Sequence, residues 1–291
     1  MRATRNPLAL ALLTAALIAG IAGGATASGA ARQGSTTLPT LAACLKLVKS
    51  EVLVKNKLKV ATTFPPLAPW FSSNNPSNEK GYESAVAYHV ASTLGFKSTA
   101  VSWYAEPYEL AVTGGTKPFD FDINEITFNA KLTSKVTLSQ SYFTVNQAIV
   151  ALKSSKIVKQ HSVSQLKGYL YGEMSGSPGL TFVLKHIIPK RAPVVYKSMS
   201  QAIAALEAKK IDAIVVDTPT GQYIASEQLT KGDLVAQFHA TGEHYSLLLH
   251  EGNPLVACLN TALATLTKNG ELRTLSKKYL SIYNSIPFIK P

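Results

Sequence analysis

Apolar and polar residues alternate with the periods of strands and helices through the first half of the chain. Residues 58–62 show a short strand pattern, and apolar residues at helical spacing follow over 81–94, where Gly95 is placed to end the helix. Strand patterns return at 101–103 and 119–123. The order of strand, helix and strand predicts an α/β fold.

The second half of the chain repeats this alternation. Residues 211–217 are almost wholly apolar, which is typical of a parallel strand buried on both faces. The other predicted elements are a short helix at 163–166, a strand at 169–171, helices from Leu180 and over 199–209, a strand at 245–249, and helices over 254–267 and 271–279. Two α/β lobes would place ligand-facing turns at the carboxyl ends of their strands, with a cleft between them.

The first residues carry the pattern of an export signal. Two arginines precede an apolar run over 8–21, and an A-x-A cleavage site ends at Ala27. We therefore expect residues 1–27 to be a signal peptide and the mature protein to be exported. Residues 28–56 are predicted to be a flexible leader that contains Cys44. No later stretch of the sequence reaches about 18 unbroken apolar residues, the length that a membrane span needs.

Lysine and arginine outnumber the acids by 29 to 17, which gives a formal net charge of +12. Such a charge indicates anionic surroundings, for example an envelope polymer or lipid headgroups, or serves solubility alone. An export signal and the lack of a basic, aromatic-interleaved motif argue against nucleic acid. Five lysines crowd residues 46–59, where a solvated amphipathic face is the simplest interpretation.

The two cysteines, Cys44 and Cys258, allow two interpretations. An even pair in an exported chain favours one disulfide, which would tie an N-terminal arm to a late helix. Alternatively, residues 41–44 form a lipobox whose cysteine would carry a lipid anchor. A lipobox should follow the apolar core of the signal directly, whereas here a polar-to-mixed stretch lies between them, so we expect the disulfide.

Signatures of catalysis and of metal binding are scarce. The chain lacks H-E-x-x-H, G-x-S-x-G and the phosphate-binding glycine motifs. Its six histidines are scattered, so we predict neither a metal site nor a cofactor. The acids Glu83, Glu125 and Asp217 show no pattern of an acid/base pair. The sequence therefore predicts a binding protein and not an enzyme.

Four positions suggest binding, and each has a structural alternative. Asp217 ends the apolar strand and either faces a cleft or caps the following helix. The turn around Ser177 either offers backbone N–H groups to an anion or is a plain strand-to-helix turn. Trp70 either stacks on a ligand or belongs to the core. Thr127 either hydrogen-bonds a ligand or pairs with Asn129 within its loop.

Several short motifs occur in an order that can be compared with a known family. They lie at 81–83 (Gly-Tyr-Glu), 119–127, 136–142, 145–153, 211–219, 245–249, 260–263, 270–272 and 278–280. Together they resemble the family-3 solute-binding proteins of amino-acid ABC importers, over about residues 57–284. The resemblance implies a two-lobed type II periplasmic-binding fold with a ligand cleft between the lobes. Its implied parts are lobe 1 at 57–145 and 246–291, lobe 2 at 150–240, and hinge strands at 146–149 and 241–245.

The resemblance also implies how a ligand is held. In this family an arginine grips the α-carboxylate of the ligand, and an acid of the second lobe, here Asp217, holds its amino group. Gap-free counting places that arginine at Leu132, and the polar residues expected at Thr63 and Pro178 are replaced as well. A carboxylate left unpaired in a closed cleft costs about 2–4 kcal/mol. The ligand therefore either lacks an α-carboxylate there or is met by Lys131.

We thus predict an exported, monomeric solute-binding protein that closes its lobes on a small polar solute and delivers it to ABC permease subunits. A cationic or amine-bearing solute is the alternative to a zwitterionic amino acid. Glu125 would supply a second acid or pair with a lysine. Two other functions remain open, a ligand-free partner or sensor of the same fold and a dehydratase-type enzyme. The predicted ligand contacts are Trp70, Glu125, Thr127, Lys131, Ser177 and Asp217.

Overall fold

Two larger β-sheets and one of two strands organise the described residues, and each larger sheet has an apolar cluster on both of its faces. The computed structural model describes residues 37–239 and 242–290, so the predicted signal peptide and the first part of the leader lie outside it. The prediction of an α/β fold is confirmed. None of the helices in these ranges combines the length and the apolar character that crossing a bilayer requires.

The elements are named in chain order. The strands are β1 Leu58–Thr62, β2 Val101–Ala105, β3 Phe121–Asp122, β4 Val136–Thr144, β5 Gln147–Leu152, β6 Gly172–Met174, β7 Val194–Tyr196, β8 Ile214–Asp217, β9 Gly232–Phe238, β10 His244–His250 and β11 Phe288–Ile289. The helices are α1 Leu41–Glu51, α2 Tyr82–Thr93, α3 Tyr108–Ala111, α4 Val163–Leu166, α5 Pro178–Phe182, α6 Met199–Glu207, α7 Thr218–Tyr223, α8 Leu255–Lys268, α9 Glu271–Tyr279 and α10 Ser281–Asn284. One π-helical turn extends α5 and another extends α7.

The first sheet has the strand order β2-β1-β3-β10-β4. Strand β1 runs parallel to β2 and β3, whereas β10 runs antiparallel to β3 and β4. Its largest apolar cluster includes side chains from α1, α2, α8 and α9. We call this sheet and its helices the first lobe.

The second sheet has the order β11-β9-β5-β8, and β6 and β7 form a short parallel pair beside it. The chain passes from the first sheet to the second between β4 and β5 and returns between β9 and β10. We call this part the second lobe. The expected hinge residues 147–149 and 244–245 lie within β5 and β10, so they are paired strand residues.

The C-terminal strand β11 corrects the lobe division that we expected. Residues 246–291 were assigned to lobe 1, but Phe288–Ile289 pair in parallel with β9 of the second sheet. The side chain of Gln237 on β9 also donates to the carbonyls of Tyr283 and Ile286, at 2.6 and 3.1 Å. Helices α8 and α9 pack in the first lobe, so the last residues of the chain cross between the lobes a third time.

The prediction of a flexible leader is wrong for residues 41–51, which form α1. Thr40 caps this helix by accepting a hydrogen bond from the N–H of Ala43 at 3.2 Å. Cys44 and Val48 lie one turn apart on its buried face. Cys44 is joined to Cys258 of α8 in a disulfide with Cα atoms 5.3 Å apart. The disulfide thus holds α1 on the first lobe and engages the sulfur that a lipid anchor would need.

Candidate functional site

A bulge in the first sheet presents Glu125 at the carboxyl end of β3. Asp122 lies opposite Leu248 and Thr127 lies opposite Tyr245, so five steps along one segment (127 − 122) face three along the other (248 − 245). The two extra residues leave the ladder, and Glu125 takes a positive φ of 51°. Its partly buried side chain accepts a hydrogen bond from the hydroxyl of Tyr245.

The side chain of Glu83 holds the backbone of this bulge by a hydrogen bond. Its Oε1 accepts the N–H of Glu125 at 2.7 Å and the hydroxyl of Tyr142. Glu83 is 1% exposed in the first turn of α2. That turn approaches the backbone of Trp70 closely, because a Cβ at Gly81 would come within 2.4 Å of the Trp70 carbonyl oxygen. Only glycine fits there without a shift of the backbone.

Four aromatic side chains pack around Trp70 in the first lobe. Trp70 is 4% exposed, and its ring centroid lies 5.6 Å from that of Tyr245 and 5.4 Å from that of Phe143, both in edge-to-face geometry. Tyr82 and Tyr283 complete the group, at 5.8 and 6.3 Å from Trp70. Such edge-to-face contacts stabilise a rigid wall. Trp70 therefore lies within the core of this wall, the alternative that its sequence context allowed.

Asp217 approaches the same region from the second lobe. It ends β8, and its Oδ1 accepts the N–H of Thr220 at 2.9 Å, so it caps α7. The charge of Asp217 also raises the pKa of Glu125 and of Tyr245 in the first lobe. The helix cap, one of the two alternatives that the sequence offered, is therefore present, and Asp217 also lies near enough to Glu125 to raise its pKa.

The acids of the site have no basic partner among the described residues. Burial, and then the charges of Glu83 and Asp217, raise the pKa of Glu125 well above its ordinary value, against the Tyr245 hydrogen bond. Burial raises the pKa of Asp217, although its hydrogen bonds with Thr220 oppose this. No lysine or arginine in the described ranges contributes to the pKa shift of Glu83, Glu125 or Asp217. Glu125 also forms no ion pair with a lysine there, which was the structural alternative for it.

The comparisons with known proteins identify the family. The sequence profile of the bacterial extracellular solute-binding proteins, family 3, matches residues 57–282. The chain belongs to this family. No curated protein matches the chain. The resemblance predicted from the motifs is therefore confirmed.

Solved structures show the same two-lobed fold as this family-3 protein. The second substrate-binding domain of a proposed amino acid ABC transporter from Streptococcus pneumoniae is 25% identical, with 77% of this chain and 100% of that chain covered and a TM-score of 0.56. A substrate-binding protein of an amino acid ABC transporter from the same organism, bound to L-arginine, is 19% identical, with coverage of 82% and 98% and a TM-score of 0.52. An ancestral cationic amino acid solute-binding protein is 20% identical, with the same coverage and TM-score.

At the position expected for the family's arginine, the chain has a leucine that packs against apolar neighbours. Leu132 begins a short 3₁₀ helix and packs, half-buried, against an apolar cluster that includes Ile126 and Val136. The side chain of Lys131 is exposed, and its backbone N–H donates to Oδ1 of Asn129 at 2.9 Å. Among the described residues, nothing at either position brings a cation to Glu125.

The remaining predicted contacts have local partners. Thr127 is half-buried, and its backbone pairs with that of Tyr245 in an isolated antiparallel β-bridge. The buried Ser177 caps α5, where its Oγ accepts the N–H of Leu180 at 3.0 Å. The structure thus brings together Trp70, Thr127 and Glu125 around Tyr245. The hydrogen bonds described for Ser177 and Lys131 lie within their own turns.

Sequence reasoning missed the tyrosines of the site. Tyr142, Tyr245 and Tyr283 come from β4, β10 and the end of α10, and each hydroxyl lies in the field of Glu83 and Glu125, which helps raise its pKa. Tyr245 borders an apolar run, where a buried tyrosine needs a polar partner, whereas Tyr142 and Tyr283 lie in mixed sequence that gives no such signal. No group of three or more histidine, cysteine or acidic side chains within 37–239 and 242–290 is arranged to hold a metal ion.

Proposed function

We propose that this family-3 protein is an exported solute-binding component of an ABC importer and that its solute carries a cationic group. The lobes close on the solute, and the closed, monomeric form delivers it to the permease. Glu125 and Asp217 hold the cation, and Tyr245 orients Glu125. The aromatic wall around Trp70 keeps the first-lobe side of the site rigid.

One observation carries the proposal: Glu125 and Asp217 approach one region from different lobes, and no basic side chain in the described part of the chain offsets them. The charge of Asp217 raises the cost of ionising Glu125, and a cation between the two carboxyl groups would offset that cost. A bound ammonium or guanidinium would stabilise both in the charged form. Lobe closure therefore becomes favourable only with the solute in place.

The packing of Leu132 supports the same solute class. A zwitterionic amino acid needs a donor for its carboxylate, and an apolar side chain cannot replace the bidentate pair that an arginine makes. A solute with one or two amino groups and no carboxylate needs no such donor. At these sequence identities the similar structures support the fold alone, and the solute is identified by binding measurements.

The test is isothermal titration calorimetry on the chain from residue 28, with L-arginine, putrescine, glycine betaine, L-glutamine and L-leucine. We expect binding of cationic solutes and a loss of about thirtyfold to thousandfold in affinity for Asp217→Asn, from about 2–4 kcal/mol. Asparagine caps a helix as well as aspartate does, so this variant removes the charge and keeps α7. Asp233→Asn, a half-exposed position of the second lobe, is the matched control.

Three results would overturn the proposal. Unchanged affinity in Asp217→Asn would remove that residue from the site. Binding of only L-glutamine or L-leucine would mean that another group replaces the arginine, and the solute would not be cationic. No binding by any solute would favour the ligand-free partner of the same fold.

A further inference from the structure

A groove of about 590 Å³ lies between α1 and the turn that follows α2. Its apolar lining comes from Leu45 and Val48 of α1 and from Leu94 and Phe96 after α2. Gly95 lies against Leu45, since a Cβ on Gly95 would come within 2.9 Å of the Leu45 side chain. We call this the α1 groove. It is on the first lobe, and none of the residues that line it belongs to the solute site.

Three lysines border the α1 groove, namely Lys49, Lys57 and Lys97, and all are exposed. No acidic residue is among the described residues that line the groove. An apolar lining bordered by cationic groups is complementary to a ligand with an apolar part and an anionic head.

Further exposed apolar side chains lie in the same stretch of sequence as the α1 lining of the groove. Leu45, Leu47, Leu53 and Val54 are 39, 46, 54 and 49% exposed, within one stretch of ten residues (54 − 45 + 1). Lysines alternate with them at positions 46, 49 and 55. Interleaved lysines and large apolar side chains are typical of segments that lie at a membrane interface, where the apolar groups enter the headgroup region and the lysines meet anionic lipids.

We propose that the α1 groove and its three lysines dock the protein on an anionic phospholipid surface. A second copy of the chain is a poorer occupant, because a two-fold contact would bring the lysines of both copies together at a net charge of +10 each once Arg2 and Arg5 leave with the signal (12 − 2). A lone soluble anion would leave the apolar lining unused. A bilayer supplies both parts, and docking through the first lobe leaves the second lobe free to move.

The test is vesicle co-sedimentation of the chain from residue 28, since the apolar run 8–21 would itself bind lipid. The described fold lies almost wholly within one compact unit, residues 38–291. Vesicles of phosphatidylglycerol mixed with phosphatidylcholine are compared with vesicles of phosphatidylcholine alone. We expect binding to the anionic vesicles only, weakening as salt rises.

Charge reversal separates the groove from the overall charge. Each lysine near an anionic surface contributes about fivefold in partition, so Lys49→Glu, Lys57→Glu and Lys97→Glu together should lower binding at least about a hundredfold. The control reverses three exposed lysines of the second lobe, Lys190, Lys197 and Lys231, with the same change in net charge. We expect this control to retain binding within about tenfold.

Leu45→Ser tests the apolar part and should weaken binding about tenfold or more at unchanged charge. Circular dichroism checks that each variant is folded, and the charge-reversal triple, confined to exposed positions, gives an answer even if Leu45→Ser unfolds. Equal loss in the control triple, no binding to anionic vesicles at low salt, or binding indifferent to Leu45→Ser would each overturn the proposal. Solute affinity should be unchanged in the groove triple, so failure here leaves the transport role intact.

Discussion

The backbone N–H of Glu125 donates to Oε1 of Glu83 across 2.7 Å and links residues 42 positions apart. The hydroxyl of Tyr142 donates to the same oxygen. Burial raises the pKa of Glu83 to about 7, although both hydrogen bonds lower it. The bulge that carries a proposed ligand contact is therefore held by a carboxyl group that titrates near neutrality.

Raising the pH through neutrality should destabilise the protein in part through Glu83. The pKa of this group is about 7 in the fold against an ordinary value of 4.5. Its favourable contribution is thus complete below about pH 4.5 and is lost as the pH rises through 7, up to about 3 kcal/mol. Glu83→Gln stays neutral and should remove this share of the slope. Urea unfolding at pH 5, 7 and 8.5 measures it.

The control for this series is Glu207→Gln, an exposed acid on α6. It should follow the wild-type pH dependence. A Glu83→Gln protein with the full wild-type slope would show that the titrating group lies elsewhere.

Tyr142→Phe should shift the same pH profile. The variant removes one of the two donors to Glu83 Oε1, so the pKa of Glu83 should rise and the loss of stability, which starts at about pH 4.5, should extend to higher pH. We expect the free energy of unfolding to fall by about 1–3 kcal/mol. Tyr223→Phe, with a side chain that is 53% exposed, should change neither quantity. An unshifted profile in Tyr142→Phe would contradict the role given to its hydroxyl.

Gly179→Ala should destabilise the second lobe. A Cβ at this position would lie 1.9 Å from the carbonyl oxygen of Val215 and 2.8 Å from Oε2 of Glu173, so the start of α5 would have to move off β8. We expect a loss of at least about 1–3 kcal/mol in thermal or urea unfolding. At Gly168 the nearest atom to an added Cβ is 3.9 Å away, so Gly168→Ala should be tolerated. Equal stability of the two variants would contradict this packing.

Removing the disulfide should lower stability without changing the solute site. The bond joins Cys44 and Cys258, which are 214 positions apart in the sequence, and such cross-links contribute about 2–5 kcal/mol. The double variant Cys44→Ser, Cys258→Ser should show this loss, and reduction of the wild type should reproduce it. Labelling of free thiols in the unreduced protein should find none, and two labelled thiols would contradict the bond.

Elements with a strong periodic pattern were predictable. β1 and α2 were read close to their bounds, because their apolar residues face one large cluster and its geometry imposes the period. The strand predicted at 169–171 lies slightly later, at β6. α1 was missed since its small first residues hide a narrow buried face of Cys44 and Val48.

The candidate site was predictable only where a local sequence pattern marks a single residue. Asp217 follows an apolar strand, so its place at a strand end could be inferred from the sequence. The wall around Trp70 draws rings from four separate segments, and no local pattern reports such meetings. The bulge at Glu125 depends on the register between β3 and β10, which neither segment encodes alone.

The C-terminal strand has a mechanical consequence. Two neighbouring connections between rigid bodies act as a single pivot, and the two crossings beside Val145 and Glu243 are neighbours, with a backbone hydrogen bond of 3.0 Å between them. The third connection leaves α10 and ends on β9 through β11. This connection is a tether away from the pivot. The span from Ser285 to Pro287 therefore limits how far the two lobes can separate and how far they can twist relative to each other.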